Sequence, residues 1–174
     1  MRRAKLLFLS ILAVTIVFII SCQQEESPVS SDTSSGRLYH GGCTYTPGWF
    51  KNHPNQWPTL PGDVMVLADF SYTKAEVVSI LKQPVNGNGL VILAHAYFAA
   101  RLNLFRANGV YTPPQEVQDA INDAHFLADN IAKVPPVGNG YLAPDFVKDG
   151  VSLQEVATLL DDFNNGIIGP GHCD

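Results

Sequence analysis

Six residues of the kinds that hold or attack ligands lie between positions 49 and 57: Trp49, Phe50, Lys51, Asn52, His53 and Trp57. Rings beside polar groups are the makings of a platform for sugar rings or other flat ligands. The same tryptophans also suit a second role, plugging a core while Lys51 and Asn52 face water. Trp49 and His53 are four apart, so on one helical turn they share a face. A second histidine, His95, sits in a nearly unbroken apolar stretch, where an imidazole needs a hydrogen-bond partner. It reads as a partnered core histidine, a metal ligand with His53 or His125, or a general base. A small hydrolase built on Lys51, His53 and His95 near Asn103 is the alternative to a binding role, and it requires those groups to meet in one pocket.

Other titratable clusters have simpler readings. His125 with Asp129, and Asp119 with Asp123, are spaced i, i+4 and suit a solvated helix face. Asp161, Asp162, Asn164 and Asn165 offer oxygen ligands to a hard cation, or they close a helix and shape the turn before Gly166. No metalloprotease, nucleophile-elbow, phosphate-loop or calcium-loop motif occurs, and no cofactor is implied. With 11 basic against 16 acidic side chains and a net charge of −5, the chain is unsuited to nucleic acid.

The elements that position these residues follow from periodicity. A hydroxyl residue followed three later by Glu or Gln marks three helix starts: Thr73 with Glu76, Thr112 with Gln115, and Ser152 with Glu155. They predict helices from Lys74 to about Gln83, from about Pro113 to Ala132, and from about Leu153 to Asn165. The second of these carries the stripe Val117, Ala120, Ile121, Ala124, Leu127, Ala128, Ile131. Between them, Leu90 to Phe105 is apolar nearly all round, with only His95, Arg101 and Asn103 strongly polar. Such a helix belongs at a bundle's centre, with Gly109 capping its end. Val64–Leu67 and Phe70–Tyr72 suggest one short hairpin. The fold expected is mainly α, a bundle of about four helices around a buried central one. At 174 residues the chain has room for one domain, and 46% hydrophobic content is too high for disorder.

The amino terminus reads as an address. Arg2, Arg3 and Lys5 precede the apolar run Leu6–Ile20, the length of a secretory core and short for a membrane span. Ile19-Ile20-Ser21-Cys22 resembles the lipobox of bacterial lipoproteins. That resemblance implies a signal peptide over residues 1–21, cleavage before Cys22, and acylation that anchors the chain in lipid. Loss of the leader leaves 153 residues and takes the formal charge to −8. Gln23-Gln24-Glu25-Glu26 is similar to the acidic stretch that directs some lipoproteins to the outer membrane surface. Residues 22–39, rich in serine, read as a lipidated tether reaching about 20–25 Å, and residues 40–174 as the single domain.

With Cys22 acylated, Cys43 and Cys173 remain, and an exported chain is expected to pair them. The alternative is a metal site in which His40 and Cys43 meet His172 and Cys173.

The block Cys43-Thr44-Tyr45-Thr46-Pro47-Gly48-Trp49-Phe50-Lys51-Asn52-His53-Pro54, with Trp57-Pro58, resembles a domain family of secreted bacterial and archaeal proteins. There it runs Cys-Thr-x-Thr-Gln-Gly-Tyr-Trp-Lys-Asn-His-Pro, then Trp-Pro. The likeness continues through Gly87-Asn88-Gly89-Leu90, Leu93-Ala94-His95 and Ala99-Ala100-Arg101-Leu102-Asn103. It closes at Asn164-Asn165-Gly166 and Gly169-Pro170-Gly171-His172-Cys173. Pro47 and Trp49-Phe50 depart from the pattern. The resemblance implies export and a domain running from Cys43 to Cys173. It implies no reaction. Together these features describe a surface-tethered lipoprotein that binds or interacts, with a glycan or an envelope component as the expected partner and Trp49, Lys51, Asn52, His53, Trp57, His95 and Asn103 as candidate contacts.

Overall fold

The computed structural model describes residues 42–173. The expected leader, Cys22, the tether and His40 lie outside the described residues. Among the described residues five α-helices run in chain order: α1 Pro47–Asn52, α2 Lys74–Lys82, α3 Gly89–Ala107, α4 Gln115–Ala128 and α5 Leu153–Asn164. Two antiparallel hairpins accompany them, β1 Val64–Leu67 with β2 Phe70–Thr73, and β3 Val147–Lys148 with β4 Val151–Ser152. The fold is mainly α, as the periodicity predicts.

Each hairpin hands its chain directly to a helix cap. Thr73, the last residue of β2, accepts from the Glu76 amide while the Glu76 carboxylate accepts from the Thr73 amide, a reciprocal cap on α2. Ser152 closes β4 and accepts from the amide of Glu155 at the start of α5. The third expected cap is not used. Pro114, not Thr112, stands at the head of α4, and no side chain caps it. A residue before proline is held out of helical conformation, so Pro113 cannot enter the helix and the start moves on to Gln115. The other end also falls short of Ala132, because Asp129 turns extended and Asn130 takes a left-handed φ of 64°.

Helix α3 is the axis. Thirteen of its 19 residues are buried, and α1, α2, α4 and α5 all pack against it. Asn88 caps its start, accepting from the Leu90 amide while its own amide donates to Gly140 O. Its end differs from expectation: Asn108, at φ 43°, makes the left-handed cap, and Gly109 follows it. No helix among the described residues is long and apolar enough to cross a membrane. The core runs from Phe50 and Trp57 through Leu93, Phe98 and Leu102 to Leu160 and Phe163.

The ends meet. Cys43 and Cys173 form a disulfide with Cα atoms 5.0 Å apart. The expected metal alternative at these cysteines is therefore overturned, since both sulfurs are bonded to each other. A parallel bridge reinforces the closure: the Thr44 amide donates to Gly171 O at 2.8 Å and the Cys173 amide to Thr44 O at 2.9 Å. Gly166 lets the chain return from α5, since a Cβ there would lie 2.1 Å from the His172 nitrogen at a φ of 70°.

Candidate functional site

Around α1 the aromatic residues stack on one another. Tyr45 lies 3.8 Å from Trp49, nearly parallel, and His53 stacks on Trp49 at 4.7 Å, the shared face that the i, i+4 spacing predicts. His53 Nδ1 is 2.9 Å from Trp49 O, and the Arg106 guanidinium sits 4.2 Å from the Tyr45 ring. Two rings of the chain itself thus occupy Trp49. Trp57 is 7% exposed, and its indole N–H donates to Phe50 O at 2.9 Å, so it plugs the core. Asn52 is exposed and Lys51 half-buried.

Asn103 is buried with every polar atom in use. Its Oδ1 accepts from the Tyr45 amide, and its Nδ2 donates to Tyr45 O at 2.8 Å and to Asn164 Oδ1 at 3.0 Å. Asn164 in turn donates to Ala96 O. The pair stitches the N-terminal segment and α5 onto α3. The cation reading of residues 161–165 loses Asn164 to this stitch, while Asn165 donates to Asp161 O and helps close α5. No group of three or more His, Cys, Asp or Glu among the described residues is placed to hold a metal ion.

Of the candidate ligand contacts, His95 lines a cavity, and Asp161 of the candidate cation cluster lines the same one. A groove of about 620 Å³ runs between α3 and α5, with Pro47 and Pro144 also in its lining. Ile92, Ala96, Leu153 and Ala157 give it apolar walls, and His95, Gln154, Thr158 and Asp161 supply the polar groups. His95 Nε2 is 2.7 Å from Ile80 O. A carbonyl only accepts, so Nε2 carries the hydrogen and Nδ1 keeps its lone pair. Every buried polar side-chain atom among the described residues is bonded, so Nδ1, which has no partner among those residues, keeps some exposure, and the His95 side chain lines the groove. Burial holds the His95 pKa below its ordinary 6.5; the Ile80 bond opposes this and the Lys51 charge adds to it. The ring is therefore a neutral acceptor at pH 7. Partial burial and neighbouring Asp162 raise the Asp161 carboxyl, and Asn165 offsets part of this. Lys51 acts on His95 through space, but Lys51, His53 and Asn103 are absent from the groove's lining.

His125 departs from expectation. It turns inward instead of lining a solvated face, with Nδ1 accepting from the Ala68 amide at 2.9 Å and Nε2 2.7 Å from Tyr97 Oη. Tyr97 donates to Val66 O, so the directional chain is Ala68 N–H to His125, His125 Nε2–H to Tyr97, and Tyr97 O–H to the carbonyl. Burial lowers the His125 pKa, and Arg101 adds to that; burial pushes the Tyr97 hydroxyl up to about 12. The sequence did carry a signal. His125 is i+4 from Ile121 and i−3 from Ala128, on the flank of the apolar stripe. Asp129, its supposed partner, faces Lys148 instead, at 3.8 Å.

Compared with protein-family models, curated proteins and solved structures, this chain has no match.

Proposed function

We propose that this protein is an exported, lipid-anchored binding module whose ligand site is the groove between α3 and α5. The groove carries the reading: it is the size of a small-molecule site, mostly apolar, and holds a few convergent polar atoms. Its one imidazole is locked into a single tautomer by Ile80, and that is how a site fixes ligand orientation. A glycan platform at Trp49 is less well supported, because Tyr45 and His53 already stack on that ring. Hydrolysis by Lys51, His53, His95 and Asn103 would need them on one cavity, and Asn103 is spent on Tyr45 and Asn164. The anchor rests on the Ile19–Cys22 sequence and its resemblance to a lipobox.

Thr158 is exposed on the groove wall, so Thr158→Trp fills the groove without touching the core. A fragment library screened by ligand-observed NMR against the native protein is expected to give hits that vanish in Thr158→Trp. An absence of hits, or hits indifferent to the substitution, rules the groove out as the site. Metabolic labelling with an alkyne fatty acid tests the anchor separately: the native chain takes label and Cys22→Ala does not.

A further inference from the structure

Resting on the groove as the binding site, we propose that its ligand is a small organic ammonium, with an apolar body against Ile92 and Ala157, an N–H donated to His95 Nδ1, and its charge toward Asp161.

The polar atoms set this choice. His95 lines the groove, and with its Nε2–H given to Ile80 the ring has only the Nδ1 lone pair left to offer, so a ligand that bonds to it must supply the donor. No lysine or arginine lines the groove, while a carboxylate does. Helix α5, which forms one wall, carries Glu155, Asp161 and Asp162 and no basic residue. A carboxylate ligand would meet a lone pair and negative charge. A neutral alcohol could bond to Nδ1 but would gain nothing from Asp161. An ammonium satisfies both, and a hydrogen bond to an ionised group is stronger than a neutral one by about 1 kcal/mol, or about fivefold in affinity. Lys51 lies outside the lining and acts on His95 from α1.

Three compounds of one shape separate the possibilities: benzylamine, benzyl alcohol and benzoate. Each is titrated into the exported, lipid-anchored protein in micelles while the methyl resonances of Ile92, Leu153 and Ala157 are followed. The amine is expected to shift these methyls at a concentration about fivefold lower than the alcohol, with benzoate weakest. Asp161→Asn should bring the amine to the alcohol's affinity and leave the alcohol unchanged. Equal affinities for amine and alcohol, with the same methyls moving, overturn the ammonium proposal and keep the groove. An amine preference that survives Asp161→Asn overturns it too, since the charge contact then lies elsewhere. If none of the three moves these methyls, the groove reading itself fails.

Discussion

At the scale of single residues, a buried asparagine and a half-buried histidine do different jobs. Asn103 holds two backbone groups of Tyr45 and the side-chain oxygen Oδ1 of Asn164. Asn103→Ala leaves those groups buried without partners, and each stranded group costs about 1–3 kcal/mol. A loss of about 3 kcal/mol is expected as a lower urea midpoint at unchanged slope. Asn164→Ala should add less than its own cost on that background, because the two share a bond. His125 instead makes the fold sensitive to pH. Its Nδ1 accepts from the Ala68 amide, so protonation turns an acceptor against a donor. The groups facing it are Tyr97 and Arg101 of α3 and the hairpin amide; no carboxylate is among them. His95 and His125 both titrate below 6.5 in the fold, so the unfolded chain takes up protons first. Their stabilisation is complete above pH 6.5 and is lost as pH falls toward the folded values. Between pH 7.5 and 5.5 the unfolding free energy should drop, and His125→Gln, less stable throughout, should drop less. The lowered carboxyl of Glu76 acts only below 4.5, outside that window.

Elements show where periodicity is a sound guide and where local chemistry overrides it. Lys74–Lys82 and Leu153–Asn164 could be read directly, because their caps and apolar spacing agree, and the buried axis α3 because it is apolar nearly all round, although its caps were not foreseen. Helix α4 departs from its expected bounds at both ends, for different reasons. The Pro113-Pro114 pair displaced its start, and Ile131 kept packing against the core after the helix had ended, so burial imitated one more turn. Helix α1 and the β3–β4 hairpin are too short for any period to register. The groove was hidden for a further reason: Pro47, His95, Pro144 and Ala157 are distant in sequence and meet only through packing. His95 was legible as an imidazole in an apolar helix that needs a partner, but Ile80, which fixes its tautomer, was not. The β1–β2 turn offers a test at this scale. Ala68 sits at φ 50°, a left-handed conformation that costs a residue with a Cβ about 1 kcal/mol, and it is held there in part by His125. Ala68→Gly should therefore raise the thermal midpoint by a few degrees. If it instead lowers the midpoint, the turn carries no such strain.

Over the whole molecule, the closure of the chain decides how stability is distributed. The Cys43–Cys173 bond spans a sequence separation of 130. In the chain-entropy account a loop of that length stabilises by about 5 kcal/mol, through the unfolded state rather than through local contacts. The parallel bridge at Thr44 and the Asn103 stitch at Tyr45 hold the same end by ordinary hydrogen bonds. The two contributions separate by hydrogen exchange in a Cys43→Ala, Cys173→Ala variant. Amides deep in α3, such as Leu93 and Phe98, exchange only when everything unfolds, so they should lose the full effect, about three to four decades in protection. Thr44 and Cys173 exchange by fraying, and their loss measures how far the bridge survives on its own. If the α3 amides keep their protection while the ends open, the disulfide is a local clasp, and the loop-entropy account fails for this fold.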